Sequence, residues 1–103
     1  MQLEQARQQM IYHQIRPWDV SDDRVLATLS SVPRERFVPE QFRNLAFADV
    51  GIPLDCGQTM LKPVVEGRML QSLDVRQEDK VLIIGTGSGF MTACLAKLGG
   101  QVT

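Results

Sequence analysis

Residues 81–90 read VLIIGTGSGF, a hydrophobic run that breaks into alternating glycines. Val81, Leu82, Ile83 and Ile84 are continuous, apolar and rich in β-branched side chains, the pattern of a strand covered on both faces in a parallel sheet. Downstream, Met91, Cys94, Leu95 and Leu98 fall at i, i+3, i+4 and i+7, which predicts an amphipathic helix closed by Gly99 and Gly100. Gln101, Val102 and Thr103 then read as the first residues of a second strand, so the stretch opens a βαβ unit. Between strand and helix, Gly85, Gly87 and Gly89 remove side chains where the backbone must bend and where a ligand can lie against it. Thr86 and Ser88 add hydroxyls, and the start of the helix adds unsatisfied N–H groups. A dinucleotide fingerprint, G-x-G-x-x-G, needs glycine at position 90, where this chain has Phe90; its pattern is G-x-G-x-G. The plain alternative is a glycine turn that tightens a strand–helix junction and holds nothing.

Upstream, Leu3, Ala6 and Met10 predict a first helix that ends before Pro17. Ser21 reads as the N-cap of a second helix, with Asp22 and Asp23 in its first turn and Val25, Leu26 and Leu29 on its apolar face as far as Pro33. Pro33 and Pro39 make VPRERFVPE, residues 32–40, an extended connector, with Pro39 in the first turn of a third short helix through about Leu45. FADVGIPLDCGQTM, residues 47–60, reads as strand and loop. Pro63 opens another helix in which Val65, Met69 and Leu73 recur every four residues, and DVRQEDK is the polar turn before Val81. The chain is one unit, with N-terminal helices and a loop over residues 1–60 and the start of a Rossmann-like domain over residues 61–103.

Charge and composition exclude several classes. The 11 Lys and Arg are scattered among 12 Asp and Glu, giving a formal net charge of -1 and no basic stripe for nucleic acid or an anionic membrane surface. No apolar run is long enough to span a bilayer, and MQLEQARQQM is too polar for a signal peptide, so the expected location is the cytoplasm. Cys56, Cys94 and a lone His13 suggest neither a disulfide framework nor a metal site. His13 reads as a surface or packing residue, and Trp18 as an anchor joining two helices.

Together, VPRERFVP at 32–39, GQTMLKP at 57–63 and VLIIGTGSGF at 81–90 resemble, in family order, the N-terminal half of a protein-L-isoaspartate O-methyltransferase. The glycine pattern alone is similar to the first motif of S-adenosylmethionine-dependent methyltransferases. The resemblance implies a repair enzyme that methylates isoaspartyl carboxylates of damaged proteins or peptides, with S-adenosylmethionine as methyl donor. It places the cofactor on Gly85, Thr86, Gly87, Ser88 and Gly89, with Gln58 and Thr59 nearby, and makes Thr59 the candidate catalytic hydroxyl. Such chemistry needs no acid/base set, because an ionised carboxylate is already a nucleophile and a sulfonium already a leaving group.

The departures from the family pattern carry expectations of their own. Where the family resembles G-Q-T-I-S-Q-P, the serine position is Leu61, which can neither donate nor accept a hydrogen bond. Lys62, next to it, reads as solvated. Where the family resembles V-L-E-I-G-T-G-S-G, the acidic position is Ile83, so a polar contact at the cofactor is lost. The family's ribose acid and adenine loops lie beyond residue 103, so the chain reads as an inactive fragment with weak or no cofactor binding. The alternative is a catalytically silent relative that acts as a protein-interaction module. An incomplete sheet also predicts self-association through the edge near Val81.

Overall fold

Helix α1 spans Gln2–Met10 and runs directly into a wider π-turn, Ile11–Ile15, in which the Arg16 N–H donates to the Ile11 carbonyl. Pro17, which has no N–H to offer, lies in the tighter 3-10 turn Arg16–Trp18 that follows, and Asp19 ends it in the left-handed region at φ 67°. The regular helix therefore stops well before Pro17, as its sequence predicts, while the helical path continues through it. The computed structural model describes residues 2–54, 57–83 and 87–102. The expectations for Ile84, Gly85, Thr86, Cys56 and Thr103 fall outside the described residues.

Helix α2, Asp23–Ser31, is capped by Asp22 rather than Ser21. The Arg24 N–H donates to Asp22 Oδ1 at 2.8 Å, while the backbone N–H groups of Ser21 and Asp22 both donate to Gln71 Oε1. A side chain from another helix thus satisfies the preceding backbone and moves the cap one residue along. Val25 and Leu29 face the core, with Leu26 at its margin.

The connector is less extended than its prolines suggest. Arg34–Phe37 and Glu40–Leu45 are 3-10 turns, separated by the extended Val38 and by Pro39, which precedes the second turn as its cap. Strands β1, Ile52–Pro53, and β2, Thr59–Met60, then pair antiparallel, and the Leu54 N–H donates to the Gln58 carbonyl at 2.8 Å across the hairpin.

Helix α3, Pro63–Leu73, begins on its proline as expected. Its buried face is Pro63, Glu66, Gly67 and Leu70, whereas Val65, Met69 and Leu73 point outward. A side chain at Gly67 would meet Ile15 Cγ2 at 3.1 Å, so the glycine lets α3 press closely onto the π-turn. Strand β3, Lys80–Val81, helix α4, Phe90–Lys97, and strand β4, Gln101–Val102, complete the expected unit, with β3 and β4 parallel and Val81 opposite Val102. Cys94, Leu95 and Leu98 bury the predicted face of α4.

Two expectations fail on burial. Residues 81–83 are not covered on both faces: Leu82 is 72% exposed, because among the described residues β4 is the only strand paired with β3. Trp18 is not buried as an anchor between helices would be; it is 61% exposed on the surface, beside Lys62 and Arg68.

Candidate functional site

The glycine turn enters α4 through two backbone positions that only glycine adopts freely. Gly87 has φ 60° and Gly89 has φ 87°, and Gly89 caps the helix without a side chain. The Phe90 N–H donates to Ser88 Oγ at 3.2 Å, which folds the turn back on itself. The Phe90 ring is buried behind it, edge-on to Phe37 at 5.8 Å between ring centres.

Phe90 also meets the polar hub of the core. The Arg34 guanidinium lies 4.8 Å from the centre of its ring, donates through Nε to the Ala46 carbonyl at 2.7 Å and through Nη2 to the Leu61 carbonyl at 3.0 Å, and pairs through Nη1 with Glu66 Oε1. Arg34 is 1% exposed and Glu66 2%. One side chain therefore ties the connector, the end of the hairpin, α3 and the entry to α4 together. Burial pushes the Glu66 carboxyl above its ordinary value, while the charge and hydrogen bond of Arg34 pull it partly back. Cys94, buried on α4, is pushed up to about 12, first by burial and then by the Glu66 carboxylate, so it remains an inert thiol. The sequence pointed to neither Arg34 nor Glu66, since a charge spaced like any other gives no sign of burial.

Two clefts meet at the turn and share Leu54, Gly87 and Ser88. The first, about 770 Å³, lies between the connector, with Arg36 and Phe37, and the hairpin, with Gln58. The second, about 490 Å³, is mostly apolar and runs between β2 and α3 on one side and residues 81–83 and α4 on the other. Thr59, Leu61 and Ile83 all line this second cleft, so both departures from the family pattern face one space. Gln58 and Thr59 are thus brought to the turn, but on different clefts. Lys62 lies outside both, and His13 is exposed. Among the described residues no group of His, Cys, Asp and Glu could hold a metal ion, and no helix is long and apolar enough to cross a membrane.

A parallel β-α-β start with a glycine turn at the end of its first strand and a ligand-sized crevice over that end is the opening of a Rossmann-like α/β domain. The family model for protein-L-isoaspartate(D-aspartate) O-methyltransferase matches residues 5–103, and the chain belongs to that family. It is 44% identical over 99 residues to protein-L-isoaspartate O-methyltransferase 2 of Anaeromyxobacter sp. (strain Fw109-5), covering 96% of this chain and 41% of that protein. It is 40% identical over 102 residues to the protein-L-isoaspartate O-methyltransferase of Maricaulis maris, covering 99% and 48%. A solved Plasmodium falciparum chain, described as a protein-L-isoaspartate O-methyltransferase in complex with S-adenosyl-L-homocysteine, superposes with a TM-score of 0.74 at 20% identity, over 97% of this chain and 46% of that one. The chain thus spans less than half the length of these relatives.

Proposed function

We propose that these 103 residues are the cofactor-loop half of an S-adenosylmethionine-dependent carboxyl methyltransferase of the isoaspartate-repair type, acting on damaged proteins or peptides in the cytoplasm. The observation that carries the reading is the meeting of two clefts at Gly87 and Ser88. Methyl transfer needs two ligands held in line across one point, and this arrangement offers one space for each. The second cleft fits the cofactor. Gly87 lines it with positive φ and no side chain, Thr59 and Ser88 offer hydroxyls, and the partly unpartnered Glu66 carboxylate offers charge. Gly87, Ser88 and Thr59 hold the cofactor there; Gly89 shapes the turn, and Gly85 and Thr86 belong to the same motif. When bound, the cofactor supplies an electrophilic methyl group on a sulfonium. The first cleft suits the acceptor, with Gln58 on its wall and the Arg36 guanidinium to attract a carboxylate. Thr59, on the wall of the second cleft, is the candidate catalytic hydroxyl.

The remaining contacts come from the greater length of the relatives, so this chain by itself binds cofactor weakly and transfers no methyl group at a useful rate. Losing several hydrogen bonds of about 0.5–1.5 kcal/mol each lowers affinity by orders of magnitude. Calorimetric titration with S-adenosylhomocysteine is expected to show no micromolar binding, while amide resonances of Gly87 and Ser88 shift at millimolar ligand. Unmoved resonances there would remove the cofactor reading.

One observation favours an interaction role for the same chain. Val65, Met69 and Leu73 on α3 and the neighbouring Leu82 form an exposed apolar face beside the side of β3 that has no partner strand among the described residues. The accessible surface, 6425 Å², also exceeds the roughly 5,800 Å² expected of a folded monomer of this mass. Self-association through this face is the expected behaviour of the isolated chain, read as a concentration-dependent increase in sedimentation coefficient. A strictly monomeric, folded species at all concentrations would contradict it.

A further inference from the structure

Among the described residues, Glu66 is the only charged side chain on the wall of the second cleft. Its Oε1 accepts from Arg34, and no donor among the described residues reaches Oε2. Three of the five N–H donors of Arg34 are engaged, by Glu66 Oε1 and by the Ala46 and Leu61 carbonyls, which anchors the guanidinium in its present orientation, with Nη1 on Oε1. The pair Arg7–Glu35 shows the alternative in the same molecule: there Nη1 and Nη2 meet Oε1 and Oε2 at 3.0 and 3.2 Å, and both oxygens are satisfied. Glu66 lines the second cleft, and Oε2, the oxygen that takes nothing from Arg34, is the one left for a ligand there. A carboxylate oxygen facing an apolar space is unfavourable until a donor reaches it, and a cationic donor answers it best.

We propose that Glu66 fixes the α-ammonium of the cofactor's amino-acid part in the second cleft, a contact that rests on the cofactor reading above. Across the cleft, Ser88 Oγ already accepts from the Phe90 N–H, which leaves its hydroxyl proton free to reach the carboxylate of the same amino-acid group. The cleft therefore presents an acceptor for the ammonium from α3 and a donor for the carboxylate from the glycine turn. The strand side supplies no acid, since Ile83 stands there. The acidic contact comes from the facing helix, and Arg34 holds it in place.

The test follows the Glu66 side-chain carboxyl carbon and the Gly87 and Ser88 amides by NMR in the 103-residue chain. The ligands are millimolar S-adenosylmethionine, S-adenosylhomocysteine, and 5′-methylthioadenosine, which has no amino-acid part. The first two are expected to move both sets of resonances, and 5′-methylthioadenosine only the amides. Glu66→Gln should weaken S-adenosylhomocysteine and S-adenosylmethionine by about tenfold or more while leaving 5′-methylthioadenosine unchanged. Should that variant fail to fold, an NOE in the unsubstituted chain between the ligand α-proton and the Glu66 γ-protons carries the test, and its absence at saturation overturns the proposal. Amides that move while the Glu66 carboxyl stays fixed overturn the Glu66 contact and leave the cofactor reading intact. Loss confined to S-adenosylmethionine would place the charge at the sulfonium and overturn the ammonium assignment. No response to any ligand overturns both readings.

Discussion

Arg34→Leu is expected to lower the free energy of unfolding by about 3–5 kcal/mol, because it leaves the Glu66 carboxylate buried without its counter-charge. It also strips the Ala46 and Leu61 carbonyls of a donor and removes the cation from the face of Phe90. In a domain of this size 1 kcal/mol corresponds to roughly 4–8 °C in melting temperature, so the variant should melt well over ten degrees lower or fail to fold. The pH dependence identifies the cause. Burial already raises the Glu66 carboxyl above its ordinary 4.5, and the charge and hydrogen bond of Arg34 lower it. A carboxyl that holds its proton more tightly in the folded state favours folding when protonated, so stability falls as pH rises from that ordinary value through the raised one. Without Arg34 this window extends upward, and acidifying the variant from neutrality should recover more stability than the parent gains. Arg34→Leu combined with Glu66→Leu should melt well above Arg34→Leu alone. Melting curves of the four proteins at two pH values settle it: equal losses at both pH values, with no recovery in the double variant, would show that the pair is not the source.

Leu61→Ser is expected to raise isoaspartyl methylation by roughly a hundredfold, or about 3 kcal/mol, in a full-length protein carrying this half, where the unsubstituted form methylates poorly. Leu61 is 42% exposed on the wall of the second cleft, and its carbonyl is held by Arg34 Nη2 at 3.0 Å. The backbone that would aim a hydroxyl is thus fixed already, and only the hydroxyl is missing. The measurement is methyl incorporation from S-adenosylmethionine into an isoaspartyl peptide, compared with its aspartyl twin. Fast methylation by the unsubstituted protein, with no gain from serine, would show that Thr59 or another group already does this work.

Local pattern and local chemistry made much of the molecule legible. The strand, glycine turn, helix and second strand from Lys80 to Val102 follow from a run of β-branched residues, from positions that tolerate positive φ, and from an apolar face of helical period. Pro63 marks a helix start because its missing N–H costs nothing there. The cap of α2 was misplaced by one residue because Gln71, far along the chain, takes the backbone N–H groups of Ser21 and Asp22. Trp18 reads as an anchor because large aromatics are usually buried, yet it is 61% exposed.

The sequence by itself determined the order of elements, the opening of a Rossmann-like unit, and the apolar character of Leu61 and Ile83 within the two motifs. All of these rest on neighbours within a few residues, where spacing alone sets which side chains share a face. Only the tertiary structure decided that Arg34 and Glu66, 32 residues apart, form the hub under the glycine turn, and that Glu66 lines the same cleft as Leu61 and Ile83. It also decided that Val65, Met69 and Leu73 face outward while Glu66 and Gly67 face in. Periodicity marks a stripe on a helix but not what lies against it. Here the close approach to Ile15 and the charge of Arg34 outweighed the burial of three apolar side chains.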